Sequence, residues 1–242
     1  MSLIDMLKDT NNYNNIIYDY YYNRLKQFNI DMYEWGDFEC DTDINYIMTN
    51  IEKYNLTQDT IDIILLSCFA EAQDIDIIKS LVEKYGADMY KKITVENYTD
   101  SCFEFAQWSE FGSTRLNYIF DHALANNVII PITTNTLYQI MDCWGDLQLF
   151  KKALYICKKF KIELQDFESL NYSIINKYNY HYIYPLLKYG MYINKKIIYV
   201  PEYVNIKEWM THGYYHPFDS TEWYYTAMYL TQLGLNNDRF IL

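Results

Sequence analysis

Glycine is scarce in this chain, with 7 residues, and proline scarcer still, with 4. The few glycines are scattered, mostly where helices should end, and none builds a phosphate-cradling loop. Neither G-x-S-x-G nor H-E-x-x-H occurs, so two common hydrolytic signatures are missing. Five cysteines stand singly, at Cys40, Cys68, Cys102, Cys143 and Cys157, with no C-x-x-C pair. That odd, dispersed set fits reduced thiols better than a disulfide framework. No apolar run approaches the ~18 residues of a membrane span. Met1-Ser2-Leu3-Ile4-Asp5 has no basic region followed by an apolar stretch, so no signal peptide is expected. These absences point away from catalysis, cofactors and metals. They lead us to expect a soluble, cytoplasmic chain.

Aromatic and acidic residues are abundant instead. Half of the 242 residues are hydrophobic, enough to bury a sizeable core, and tyrosine leads with 28 against 12 Phe. A tyrosine packs its ring and keeps its hydroxyl near water or a partner, which suits a recognition surface. Tyr, Asn, Ile and Lys also share AT-rich codons, so base composition explains the same excess. The net charge is −12 and is unevenly spread. Residues 1–121 hold 22 Asp and Glu against 9 Lys and Arg, while residues 122–242 hold 10 against 11. An acidic N-terminal half repels phosphate and argues against nucleic acid as a partner. It suits a basic protein partner, or simply keeps an apolar-rich chain in solution.

Self-comparison shows a repeat. Residues 43–55, DINYIMTNIEKYN, return as residues 74–86, DIDIIKSLVEKYG. Ile44, Ile47, Ile51 and Tyr54 match Ile75, Ile78, Val82 and Tyr85, in steps of 3, 4 and 3 that form one helical stripe. Asp43 and Asp74 stand where an N-cap belongs, and Asn55 and Gly86 where a left-handed C-terminal cap belongs. Leu116, Ile119, Ala123 and Asn126 repeat the spacing, with Asn127 as the stop. Asp146 precedes Leu147, Phe150, Leu154 and Cys157 in the same frame. Tyr182, Leu186, Tyr189 and Gly190 form a weaker copy, which Pro185 should kink or delay. Tyr18, Tyr21, Leu25, Phe28 and Asn29 fit as an earlier unit, and Trp223, Leu230, Leu233 and Gly234 fit loosely as a late one. Shorter helical segments are expected between these, at Ile61–Ala72, Thr99–Phe111, Thr136–Trp144 and Leu170–Lys177. Such a helix–turn–helix unit buries its apolar face only by stacking on neighbours. An all-α stack with almost no β-structure follows, with Ile47, Ile78, Val82, Ile119, Phe150 and Leu154 inside.

Residues 66–90, LSCFAEAQDIDIIKSLVEKYGADMY, resemble an ankyrin repeat, with Tyr85-Gly86-Ala87-Asp88 as its exit. Cys143-Trp144-Gly145-Asp146-Leu147 resembles the ankyrin interhelical turn, and Leu186-Leu187-Lys188-Tyr189-Gly190 looks like another exit. The Tyr-, Asn- and Ile-rich style resembles divergent ankyrin-like proteins of giant DNA viruses, which would place the chain in a host cytoplasm. The resemblance covers roughly residues 40–195. No Thr-Pro-Leu-His opening occurs, several exits lack glycine, as at Lys158 and Asn127, and the step from Ile75 to Leu116 exceeds a standard repeat. The organisation expected is an N-terminal capping helix and acidic loop over 1–40, ankyrin-like helical repeats over 41–195, and an aromatic-rich C-terminal cap over 196–242.

Chemistry has few places to reside. Asp31, Glu34, Asp37, Glu39 and Asp41 cluster without the order of a calcium loop. His212 and His216 are four apart, but Gly213 and Pro217 interrupt a helical zinc site. Cys68 and Cys102 recur in Ser-Cys-Phe contexts and read as small packing residues. Lys151, Lys152, Lys158 and Lys159 flank the Leu147 stripe as a basic strip, a solvated face or a site for an acidic partner or RNA phosphate. The resemblance implies a non-catalytic protein–protein interaction scaffold binding through a concave side. On that analogy Glu71, Trp108 and Trp144, near first-helix ends, and Tyr90, in a loop, are the partner-binding candidates. The alternatives are a self-assembling structural component, with homo-oligomer formation, and an enzyme with its site in residues 197–242.

Overall fold

The computed structural model describes residues 2–8, 10–30, 42–71, 74–108, 112–167, 170 and 182–192. They belong to two compact units, Met1–His122 and Ala123–Leu242. Helices predominate, and one two-stranded hairpin is the only sheet among the described residues. Residues 31–41, the segment Leu170–Lys177 beyond Leu170, His212, His216, the unit at Trp223 and the terminal region 196–242 lie outside the described residues.

The first unit contains α1 (Leu3–Met6), α2 (Tyr13–Ile30), α3 (Thr42–Tyr54), α4 (Gln58–Ala70), α5 (Ile75–Glu83), β1 (Ile93–Val95), β2 (Tyr98–Asp100), α6 (Cys102–Trp108) and all but the last turn of α7 (Gly112–Asn126). Side-chain links fix the helix directions. Asn14, early in α2, accepts from the Thr57 N–H at 2.8 Å and from Thr60 Oγ1 at 2.8 Å, both at the start of α4. Arg24, ten residues on, meets Glu71 at the end of α4. Helices α2 and α4 therefore run parallel. Tyr13 packs its ring against Tyr54 with centroids 4.7 Å apart, and Tyr20 donates to Asp43 at 2.7 Å. As α2 advances from Tyr13 to Tyr20, its contacts move from the end of α3 to its start, so this pair is antiparallel. Lys84, just past α5, reaches Glu52 near the end of α3 at 2.8 Å. Tyr118 of α7 donates to Glu83 at the end of α5 at 3.1 Å. Helix α6 packs on α4. First helix α2 thus packs on first helix α4, and the ends of the second helices α3 and α5 are linked by the exposed Lys84–Glu52 pair.

The apolar stripes explain this arrangement. Ile44, Ile47, Ile51 and Tyr54 are buried, as are Ile78, Val82, Leu116 and Ile119. Ile75 and Tyr85 are half-buried. Asp74 caps α5 by accepting from the Asp76 N–H at 2.9 Å. Asn55 and Asn127 adopt the expected left-handed backbone, at φ 48 and 54. Gly86 does so at φ 69, where a side chain would be strained. Asp43 departs from expectation. It lies inside α3, and its buried carboxylate receives Tyr20 instead of capping the helix.

The overlong step between Ile75 and Leu116 has a structural reason. It holds the β1–β2 hairpin, paired Ile93 to Asp100, Thr94 to Thr99 and Val95 to Tyr98. The tip docks on α2, where the Glu96 N–H donates to Tyr22 and Lys26 pairs with Glu96. Tyr98 donates to the Leu25 carbonyl at 2.6 Å. The helix expected at Thr99–Phe111 starts only at Cys102, because Thr99 and Asp100 belong to β2. Ser101 caps it, accepting from the Phe103 N–H and donating its own N–H to Glu104.

In the second unit α8 (Thr134–Gln139) continues as a π-helical turn, Ile140–Trp144. Gly145 then turns the chain at φ 62, and Asp146 caps α9 (Leu147–Phe160) by accepting from the Leu149 N–H at 2.9 Å. Phe150, Leu154 and Cys157 are buried and Leu147 is half-buried. The helix outruns the expected stop at Lys158 and ends at the left-handed Lys161, φ 55. Helix α10 (Ile183–Tyr192) packs on α9, with Phe150 and Tyr182 rings edge to face at 4.7 Å and Tyr189 donating to the Ile162 carbonyl at 2.9 Å. Pro185 sits in the first turn of α10, where a missing N–H costs no helical bond.

Candidate interaction surface

Glu71 was expected at an exposed first-helix end. It stands at that end, as the C-terminal cap of α4, but its side chain is only 5% exposed. Arg24 Nε donates to its Oε1 at 2.6 Å and Ser67 Oγ at 2.9 Å. Arg24 also donates to Tyr20, whose hydroxyl pKa is pushed up to about 12 by burial and by its bond to Asp43. Nearby, the buried Arg115 donates to the Phe69 carbonyl at 3.4 Å. Desolvation pulls its pKa down to about 10, so it remains a cation at neutral pH beside the negative end of α4. The expected contact residue is part of an internal polar brace between α2 and α4.

Tyr90 is half-buried in the loop after α5. Its hydroxyl lies 2.9 Å from His122 Nδ1, and burial raises its pKa. The same loop is tied down by Lys91, which bridges Asp59 at 2.6 Å and the buried Asp62 at 2.8 Å. Asp62 also accepts from the Asp88 N–H at 2.9 Å. Trp108 is the last residue of α6. Trp144 closes the π-helical turn and is half-buried. Glu71, Tyr90 and Trp108 fall in the first unit and Trp144 in the second.

One exposed surface was half legible. Tyr155 of α9 is 57% exposed, one of two large hydrophobic side chains so open among the described residues. At ~100° per residue, Lys151, Lys152, Lys158 and Lys159 all fall within about 60° of it, at i−4, i−3, i+3 and i+4. Lys158 and Lys159 are exposed, and Lys151 and Lys152 are half-buried. Lys159 donates to the Leu124 carbonyl at 3.2 Å, five residues before the other open side chain, Ile129, at 66%. The lysine strip was visible in the sequence, but its aromatic centre was missed. The same periodicity that buries Leu154 turns Tyr155 outward, and that was the available signal.

The buried thiols are not activated as nucleophiles. Cys68 and Cys102 are buried as packing residues, and desolvation raises the Cys102 pKa well above an ordinary thiol. Burial likewise raises Cys157, to about 12. A thiolate nucleophile needs the opposite shift. In a pulse of maleimide at pH 8, Cys143 should label first of these four, with Cys68, Cys102 and Cys157 reacting only on unfolding. Peptide mapping that finds Cys102 labelled within the pulse would refute this burial pattern. No group of three or more His, Cys, Asp or Glu among the described residues is placed to hold a metal ion. No described helix is long and apolar enough to cross a membrane. No protein family, curated protein or solved structure matches this chain.

Proposed function

We propose that the chain is an ankyrin-like helical-repeat scaffold that binds a protein partner without performing chemistry. The observation that carries this reading is the parallel packing of first helices α2 and α4, each followed by a second helix, with the Lys84–Glu52 pair linking the C-terminal ends of α3 and α5. Stacked pairs of this kind extend a surface repeat by repeat, which is what recognition scaffolds use. The recurrent Asp–stripe units at residues 43, 74 and 146 support it further, the first two closed by Asn55 and Gly86. Acidic excess in residues 1–121 favours a basic partner there. The resemblance to giant-virus proteins carries the accompanying proposal that the chain acts in a host cytoplasm.

The experiment is affinity purification from the native cell, mass spectrometry of the partner, and titration of purified variants. Trp108→Ala and Trp144→Ala, in variants that still fold, should each weaken binding by more than ~1 kcal/mol. Replacing His212 and His216 together should leave binding unchanged. Association should slow as salt rises, because steering by the acidic half is screened. Binding that ignores both tryptophans and is confined to nucleic acid would sink the scaffold reading. So would stoichiometric zinc lost in the double histidine variant together with a turnover activity.

A further inference from the structure

We propose that the outward face of α9, centred on Tyr155, docks on the acidic first unit of a second copy of this chain. The face has the make-up of an interface centre: an open aromatic ring inside a collar of long cationic side chains. Helix α9 contains four lysines and no Asp or Glu. Lysine side chains can lay their stems along apolar surface and still present a charge at its edge.

The complementary surface is on the same molecule. Residues 1–121 hold 22 acidic against 9 basic side chains. Among them Asp76 and Glu52 have side chains 83% and 74% exposed, in solvent-facing ion pairs with Lys79 and Lys84 for which a second copy's lysines would compete. A polyanion such as RNA fits less well. The strip spans only ~12 Å of helix, so it meets few phosphates. The net charge of −12 also repels a long polyanion. Two copies carry that same repulsion, but at ~0.1 M salt the screening length is about 10 Å, so distant charges fade while contact pairs persist. Docking of one surface on a different surface is head-to-tail, and it grows into a ring or a filament. This inference stands independently of any foreign partner, since it is tested on the purified chain alone.

Sedimentation of the full chain at ~0.1 M salt should show weight-average mass rising with concentration, and at ~1 M salt the mass should return to the monomer. Lys151→Glu with Lys158→Glu, and separately Tyr155→Ala, should each weaken self-association by at least about tenfold at unchanged helicity. The charge-reversed variant keeps its acidic unit, so mixing it with the original chain should shorten assemblies. A zero-length carbodiimide on a mixture of isotopically light and heavy copies should link the α9 lysines of one copy to carboxylates within residues 1–122 of another. A monomer at every concentration overturns the proposal. So does self-association indifferent to both variants, or mixed-isotope links that avoid either surface. A monomer that binds a polyglutamate peptide or an RNA oligonucleotide through these lysines also overturns it, in favour of that other occupant.

Discussion

Phe150→Ala should destabilise the second unit by about 3–5 kcal/mol, the cost of truncating a large, fully buried aromatic. Phe150 has no exposed surface and meets Tyr182 edge to face at 4.7 Å. Truncation removes the transfer free energy of the ring and leaves a cavity between α9 and α10. It also forfeits the ring–ring contact. Neighbours cannot fill the gap cheaply, because Leu154 and Cys157 are already buried on the same helix. Phe150→Leu retains most of the volume and should cost far less. The comparison is made by urea unfolding followed by circular dichroism. The alanine variant should shift the midpoint by more than about 1 M urea, given slopes of 1–3 kcal/mol/M. A shift for alanine no larger than for leucine would mean that the α9 stripe does not face α10.

Arg24→Met should cost about 3 kcal/mol in the first unit, far more than an ordinary surface substitution. The Glu71 side chain is 5% exposed, and Arg24 Nε is 2.6 Å from it. Removing one member of a buried pair leaves the other's charge poorly solvated, which typically costs 3–5 kcal/mol. Arg24 itself retains 21% exposure, so water softens the loss and the lower end applies. The variant Arg24→Met with Glu71→Met removes both charges and should regain most of the stability. A single variant within ~0.5 kcal/mol of the original, the range of unremarkable surface changes, would show that the brace between α2 and α4 contributes little.

Periodicity made the second helices readable. Ile47, Ile78, Ile119 and Phe150 all have zero exposed surface, where a 3-4-3 stripe placed them. Capping chemistry was equally local, and Asp74 and Asp146 cap their helices as their positions before the stripes imply. Asp43 occupies the same place in its repeat, yet a tyrosine 23 residues upstream claims its carboxylate. That competition is tertiary and leaves no local trace. Glu71 shows the same effect at larger range, since its partner lies 47 residues away. The hairpin was a different case. Ile93-Thr94-Val95 and Tyr98-Thr99-Asp100 flank a two-residue turn and carry β-branched residues, a readable strand signal that the helical frame overrode.

The hairpin's grip on α2 has a consequence for the order of events on the ribosome. Tyr98 bonds to the Leu25 carbonyl across 73 residues, and Asn14 meets Thr57 across 43. Nascent chains grow at roughly 5–20 residues per second. Helix α2 therefore spends seconds outside the exit tunnel before α4 exists to cover its apolar stripe, and longer before the hairpin locks its far end. During that delay Tyr21 and Leu25, both buried in the finished protein, are open to whatever binds apolar segments in the cell. Chaperone capture should be strongest on ribosome-bound chains that stop before α4 has emerged, and should fall away once the hairpin clears the tunnel.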